Sequence, residues 1–193
     1  EAKGSTKRKE GDKPRILSGV FNGYTTGAPV AILFTNENTL SGDYANLVAH
    51  PRPSHADWVA RHKFKGYTDY RGGGHFSGRL TLALVAAGVV AKKVIDGITI
   101  STSIMELGGS REESEFAGIL ENARMDLDSV GGIIECVARG VPVGLGEPFF
   151  DSFESVFAHL AFSIPAVKGV EFGAGFESAR MRGSENNDLI MDE

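Results

Sequence analysis

Residues Arg71–Ile95 read RGGGHFSGRLTLALVAAGVVAKKVI, a glycine-rich turn that runs straight into a long apolar segment. The choice of fold class turns on this stretch. Gly73 and Gly78 are separated by four residues, the opening of a phosphate-binding loop, which would bring a buried strand before it and a parallel sheet around it. Such a loop needs Lys and then Ser or Thr after its last glycine, the first for the phosphates and the second for a magnesium ion. Here Arg79 and Leu80 follow, and a leucine offers a metal no donor. The preceding KFKGYTDY, Lys63–Tyr70, is also too polar for a buried strand. The stretch therefore argues against a nucleotide triphosphatase. What remains is local physics: Ser77 is placed to cap a helix whose free N–H groups favour an anion. Glycine chemistry alone supports equally a turn that merely caps a core helix. Beyond Arg79, Ala, Leu and Val fall on nearly all sides, which predicts a helix buried in the core.

Upstream, ILSGVFNGY (Ile16–Tyr24) reads as one strand interrupted by glycines, with a bulge. TTGAP is a turn, PVAILFT (Pro29–Thr35) a compact strand, and Asn36–Asp57 a long ordered loop of the kind that carries function. Downstream, GITIST is a short strand, and Ser110 with Glu113 forms a capping box for a helix bearing Phe116, Ile119, Leu120 and Ala123 on one face. GGIIECVARGVPVGL, at positions 131–145, is a strand. Asp151 opens an amphipathic helix through Phe153, Val156, Phe157 and Leu160, and Ala166–Phe176 is a further strand. Strands and helices interleave without clean crossovers, so the expected class is α+β, with packed sheets and helices in a single domain over residues 1–193.

The proportions, 41% hydrophobic and 23% charged, are those of a globular protein with a core. A net charge of −5 argues against nucleic acid as the partner. The basic arm within residues 1–15 and the mobile acidic tail at 183–193 read as solvated ends. One cysteine, Cys136, excludes an internal disulfide and suits a reducing, cytoplasmic setting. No apolar run reaches the length of a membrane span. The sequence opens without Met, inside a charge run, as a piece of a longer protein would.

Chemistry concentrates in RPSHADW, Arg52–Trp58. A lone loop histidine is more often a hydrogen-bonded surface residue than a catalyst. His55 is less ordinary, because Arg52, Asp57 and Trp58 surround it. An arginine three residues away can hold a carboxylate or phosphate through two parallel bonds and present it to the imidazole. His50, His62 and His159 lack such company and read as structural. No histidines pair at helical or hairpin spacing, and no metal site is expected.

Taken together, TKRKEGD, ILSGVF, TTGAPVAI, RPSHADW, DYRGGGHFSGR, DSVGGIIECVARGVPVGLGEP, SIPAVKGVEFGAGF and GSENND, in this order, resemble the chorismate synthase family over nearly the whole chain. The HFSGR variant looks bacterial. The resemblance implies a lyase that removes phosphate and a proton from 5-enolpyruvylshikimate 3-phosphate by anti 1,4-elimination, with reduced FMN and no net redox change. It also implies a β-α-β sandwich, with antiparallel sheets packed face to face under flanking helices, assembled as a homotetramer. By resemblance His55 is the histidine that acts as acid toward the reduced flavin, and Arg52, Arg79 and Lys3 grip the anionic substrate. His75, Phe76 and Ser77 occupy a flavin-contacting tripeptide, commonly Arg-Ser-Ser elsewhere, and Pro165–Ala166 a second flavin-contacting pair that is often Asn-Ala.

The departures are large. The family's N-terminal segment with its other catalytic histidine, and its C-terminal portion with an essential aspartate, have no counterpart here. The stretch between Gly109 and Ser129 is shorter. The expectation is a core that folds at least partly by itself and does not turn over alone. Rival readings are a flavin- or anion-binding piece without turnover and a purely structural oligomerisation core.

Overall fold

The computed structural model describes residues 11–37 and 41–190. The expected substrate residue Lys3 lies outside them, as do most of the basic arm and the last residues of the acidic tail. Two compact units divide the chain, one ending at Gly140 and the other beginning at Val141.

The first unit starts with four short strands, β1 (Pro14–Ser18), β2 (Val20–Phe21), β3 (Tyr24–Thr25) and β4 (Ala31–Phe34). The single strand expected over Ile16–Tyr24 is therefore three pieces. β1 pairs antiparallel with β4, its register breaking between Ile16 and Ser18 as expected of a bulge. Gly19, at φ +82°, then turns the chain where a Cβ would stand 2.7 Å from the Pro29 carbonyl oxygen. β2 and β3 form a minimal hairpin across Asn22–Gly23, both at positive φ. An Asn-Gly pair is the favoured two-residue turn between antiparallel strands, because its twist matches theirs.

The long loop expected up to Asp57 is partly helical, with a 3₁₀ run at Ser41–Val48. Then comes α1 (Asp57–Lys63), a helix that begins where the expected loop ends and is not assigned from the sequence. It carries Asp57 in its first turn and Arg61, His62 and Lys63 in its last, the charge order that suits a helix dipole. Ala60 on α1 is the one buried hydrophobic residue among those described. Arg61 Nη1 donates to the Val48 carbonyl at 2.9 Å, and the Phe64 and Phe76 rings lie 6.5 Å apart. These contacts tie α1 to the segments before and after it.

The glycine-rich turn is a 3₁₀ segment, Arg71–Phe76, followed by a second at Gly78–Leu80 and then α2 (Thr81–Val94). Ser77 caps the 3₁₀ turn rather than the expected helix, its hydroxyl oxygen accepting from the Arg79 N–H at 3.3 Å, while α2 begins after Leu80 with no side-chain cap. The burial expected of α2 is not found: no residue on it is buried, and Val85, Val89 and Val94 are exposed. A helix that is apolar all round needs neighbours all round, and among the described residues these faces have none.

β5 (Thr99–Leu107), α3 (Glu113–Met125) and β6 (Gly132–Arg139) complete the unit. β5 and β6 pair antiparallel from Thr99↔Arg139 to Leu107↔Gly132, so β5 is longer than GITIST alone and β6 ends well before Leu145. The expected Ser110–Glu113 box is replaced by a shifted one. The Ser110 hydroxyl accepts from the Glu112 N–H at 3.1 Å and donates to Glu115 Oε2 at 2.6 Å. Ser110 lies two residues ahead of the N-cap, Glu112, so its carboxylate partner falls two positions later, at Glu115 rather than Glu113. Among the described residues the three sheets each have two strands. Ile100, Ile104, Ile133 and Ile134 stand exposed rather than sandwiched. The α+β class with antiparallel pairing holds; face-to-face sheet packing is not seen among the described residues.

In the second unit a 3₁₀ turn, Phe149–Asp151, leads into α4 (Phe153–Ala161). Ser152, not Asp151, caps it, accepting from the Ser155 N–H at 3.3 Å. Phe157 stacks on Phe153 at 5.9 Å and meets Phe172 edge-on at 5.6 Å. The strand expected over Ala166–Phe176 does not form, because positive φ at Ala166, Gly173 and Gly175 interrupts an extended path. Among the described residues no helix is long and apolar enough to cross a membrane.

Two glycine substitutions separate steric clash from backbone preference. Gly23→Ala meets nothing within 4 Å, so only the left-handed backbone opposes it, at roughly 1–2 kcal/mol. Gly19→Ala carries the same backbone cost plus a clash with Pro29 and Val30, and is expected to destabilise more. Denaturant unfolding of both variants checks the order; equal losses would show that the turn at Gly19 relaxes freely.

Candidate functional site

The RPSHAD segment is shaped by its own residues. Pro53 restricts Arg52 to an extended backbone, and Ser54 turns the chain at φ +56°. The His55 N–H thereby comes back to the Arg52 carbonyl at 3.4 Å, and two residues later Asp57 begins α1. Two side chains and a backbone N–H converge on the Asp57 carboxylate. Arg52 Nε donates to Asp57 Oδ2 at 2.8 Å and Nη2 to Oδ1 at 2.9 Å, a two-bond fork, while the Arg52 backbone N–H adds a third bond to Oδ2 at 3.1 Å. His55 Nδ1 lies 2.7 Å from Asp57 Oδ1.

Arg52 Nη2 is 3.1 Å from both ring nitrogens of His55. An atom in the ring plane and equidistant from both would collide with a ring carbon. The guanidinium nitrogen therefore lies over the face of the imidazole, a stacking contact rather than two hydrogen bonds. Nδ1 then has the Asp57 carboxylate as its close ion-pair neighbour, and no in-plane partner of Nε2 is found among the described residues. The Asp57 side chain is 14% exposed, that of His55 28% and that of Arg52 39%, so the carboxylate is innermost and the two bases face outward. Hydrogen bonds from the Arg52 side chain hold the Asp57 carboxyl well below the usual carboxylate range, outweighing the opposing effect of burial. The same carboxylate raises the Arg52 guanidinium above its ordinary value.

Arg79 sits in the 3₁₀ turn at the head of α2, where its Nη2 pairs with Asp12 Oδ1 at 2.5 Å. His75 and Phe76 are exposed in the glycine turn and Ser77 half-buried after it. Gly74, at φ +51°, allows that turn to close, since a Cβ there would stand 2.7 Å from the Asp69 carbonyl oxygen. Pro165 and Ala166 belong to the second unit, at the centre of a turn closed by the Val167 N–H on the Ile164 carbonyl at 3.3 Å. Proline first and a positive-φ residue second is the pattern of a type II turn, with Ala166 (φ +72°) where Gly or Asn is favoured.

Of the expected site residues, the structure brings Arg52 and His55 into contact. It also adds two carboxylates that the sequence reading did not assign. Asp57 was legible as a neighbour, and recognising α1 would have placed it at a helix start facing Arg52. Asp12 lies 67 residues from Arg79, and no local pattern links them.

The family model for chorismate synthase matches residues 1–193. The chain belongs to the chorismate synthase family. It is 61% identical over 192 residues to the chorismate synthase of Chitinophaga pinensis, covering 99% of this chain and 57% of that protein. It is 48% identical over 207 residues to that of Pyrococcus abyssi, covering 95% and 58%. A crystal structure of chorismate synthase superposes with a TM-score of 0.68 at 28% identity, over 91% of this chain and 59% of that one. The chain thus spans little more than half the length of the chorismate synthases it matches.

Because the Asp57 carboxyl is depressed, its contribution to stability is fully present above the ordinary carboxylate value of about 3.9. It is lost only as pH falls through the lower value of the folded state. The stability gap between the parent chain and Asp57→Asn should therefore be wide at pH 7 and shrink steadily in strong acid. Denaturation midpoints of both across that range test it. A gap that stays constant would mean the charged carboxylate is not what the network holds.

Proposed function

We propose that this chain forms part of the active site in which 5-enolpyruvylshikimate 3-phosphate loses phosphate and a proton to give chorismate. The carrying observation is the Arg52–His55–Asp57 network, within the motif by which the chain resembles the family. The reaction breaks a carbon–oxygen bond, the electron pair leaving with phosphate, and a proton departs from the other end of the four-atom system as the new double bond forms. Electrons balance without a net oxidant.

The residues have distinct tasks. Arg52 spends Nε and Nη2 on Asp57, which leaves Nη1 to point a donor at a ligand oxygen. Arg79, half-exposed, offers a second guanidinium, and Asp12 holds its place until an anionic substrate competes for it. Lys3 is a third cation by resemblance. His55 exchanges a proton through Nε2, its other nitrogen being engaged by Asp57.

The glycine turn suits one part of a flavin. Phe76 presents an exposed ring, and Ser77 accepts from Arg79 yet keeps its own O–H to donate. His75, Phe76 and Ser77 would hold one part of the cofactor; Pro165 and Ala166, in the second unit, are flavin-contacting by resemblance alone. Reduced FMN, when bound, would lend electron density as phosphate leaves.

The exposed isoleucines of β5 and β6 and the valines of α2 support a further reading. In the full-length protein these faces are covered by the face-to-face sheets and the homotetramer that the resemblance implies, in a cytoplasmic enzyme. Burying one such side chain contributes roughly 1.5–3 kcal/mol.

In a full-length enzyme containing this sequence, His55→Ala should lower kcat far more than it weakens substrate binding. A positioned general acid contributes on the order of 10²–10⁴ in rate. Steady-state kinetics with excess reduced FMN decide the point, and a variant within a few-fold of the parent would remove His55 from the chemistry. Arg79→Ala should weaken substrate binding by roughly 1.5–3 kcal/mol, the worth of a hydrogen bond to a charged group, and Arg79→Lys should restore only part of it. Calorimetric titration with the substrate checks this, and unchanged affinity in Arg79→Ala would rule out the grip.

A further inference from the structure

We propose that Asp57 is the positioning residue of this site, holding His55 in the tautomer that leaves Nε2 toward the ligand and fixing the Arg52 guanidinium across the imidazole face. The inference rests on the reading of His55 as a proton-transfer group and extends it to a residue to which that reading gives no role.

Three observations carry it. The Asp57 carboxylate is the least exposed member of the cluster, so it is placed to organise its neighbours rather than to meet a ligand. Both its oxygens are occupied, Oδ2 by Arg52 Nε and the Arg52 backbone, Oδ1 by Arg52 Nη2 and His55 Nδ1. A carboxylate has no hydrogen to give, so its approach to Nδ1 at 2.7 Å, as an ion-pair contact, favours the hydrogen on Nδ1. In the neutral ring this leaves the Nε2 lone pair as the only in-plane acceptor.

The stacking follows from the same anion. A guanidinium pressed on an imidazole that gains a proton during turnover would place two cations in contact. Asp57, bonded to both, offsets that repulsion and allows the ring to cycle between charge states without moving. Helix geometry supplies the rigidity. Asp57 starts α1, which is anchored by Ala60 at its centre and by Arg61 on the Val48 carbonyl.

The test uses a full-length enzyme containing this sequence, labelled with ¹⁵N at histidine. In the parent protein, at a pH where the ring is neutral, His55 should show a protonated Nδ1 and an unprotonated Nε2. In Asp57→Asn the hydrogen should move mostly to Nε2. The same variant should lose about tenfold or more in kcat, with a much smaller change in KM, and Asp57→Glu should recover part of the loss.

The combined variant His55→Ala/Asp57→Asn should be no slower than His55→Ala alone, since a residue acting through another has nothing left to position. Asp57→Asn with kcat within twofold of the parent, a parent His55 protonated at Nε2, or fully additive losses in the combined variant would each overturn the proposal. Failure of the underlying reading looks different. There, His55→Ala itself keeps its activity, while the nitrogen shifts still report whether Asp57 sets the tautomer. Because those shifts are read on the parent protein, a variant that fails to fold leaves the question answerable.

Discussion

The carboxylate of Asp57 is the point on which the described site depends. Arginine and histidine would repel each other once both are charged, and neither has another described partner to hold it in the RPSHAD turn. One anion accepting two bonds from the Arg52 side chain and one from the Arg52 backbone fixes the guanidinium in a plane. Its contact with His55 Nδ1 fixes the ring. Charge-assisted bonds of this geometry are about twice as strong as neutral ones, so the turn is held despite a strained Ser54.

The network also revises what an arginine near a histidine means. Arg52 and His55 at a three-residue spacing invite the picture of a guanidinium presenting a bound anion to the imidazole. In the structure the anion in that fork is internal. Arg52 keeps only its outer nitrogen for a ligand, and Arg79 is likewise held by Asp12. Of the three cations that the resemblance assigns to substrate, the two within the described residues, Arg52 and Arg79, are thus already paired with carboxylates. Each carboxylate offsets the charge of its own arginine, so an incoming anion would have to exchange partners with it.

Apolar surface sets the second constraint. α2 is apolar on nearly every side and has no buried residue, and β5 and β6 expose isoleucines. A two-stranded sheet is marginal alone in water. These elements have the composition of a core and lack its cover among the described residues. Helix character, strand pairing and register are nevertheless in place, because they rest on local hydrogen bonds.

Much of this was determined by sequence alone. Blocks such as RPSHADW and DYRGGGHFSGR marked the family, Arg79–Leu80 argued against the phosphate loop, Ser77 was read as a cap, and the bulge near Gly19 followed from interrupted alternation. Those features depend on neighbours a few residues apart. Two elements whose state depends on backbone signs were misread: the Asn22–Gly23 turn as part of one strand, and the interrupted path over Ala166–Phe176 as a strand, while α1, beginning where the expected loop ends, was not assigned. Tertiary structure alone decided that Asp57 fills the Arg52 fork, that Arg52 stacks on His55 rather than bonding in its plane, and that Asp12 reaches Arg79. A side chain's partner is chosen by distance and direction in space, and a spacing of 67 residues between Asp12 and Arg79 carries no periodic trace of either.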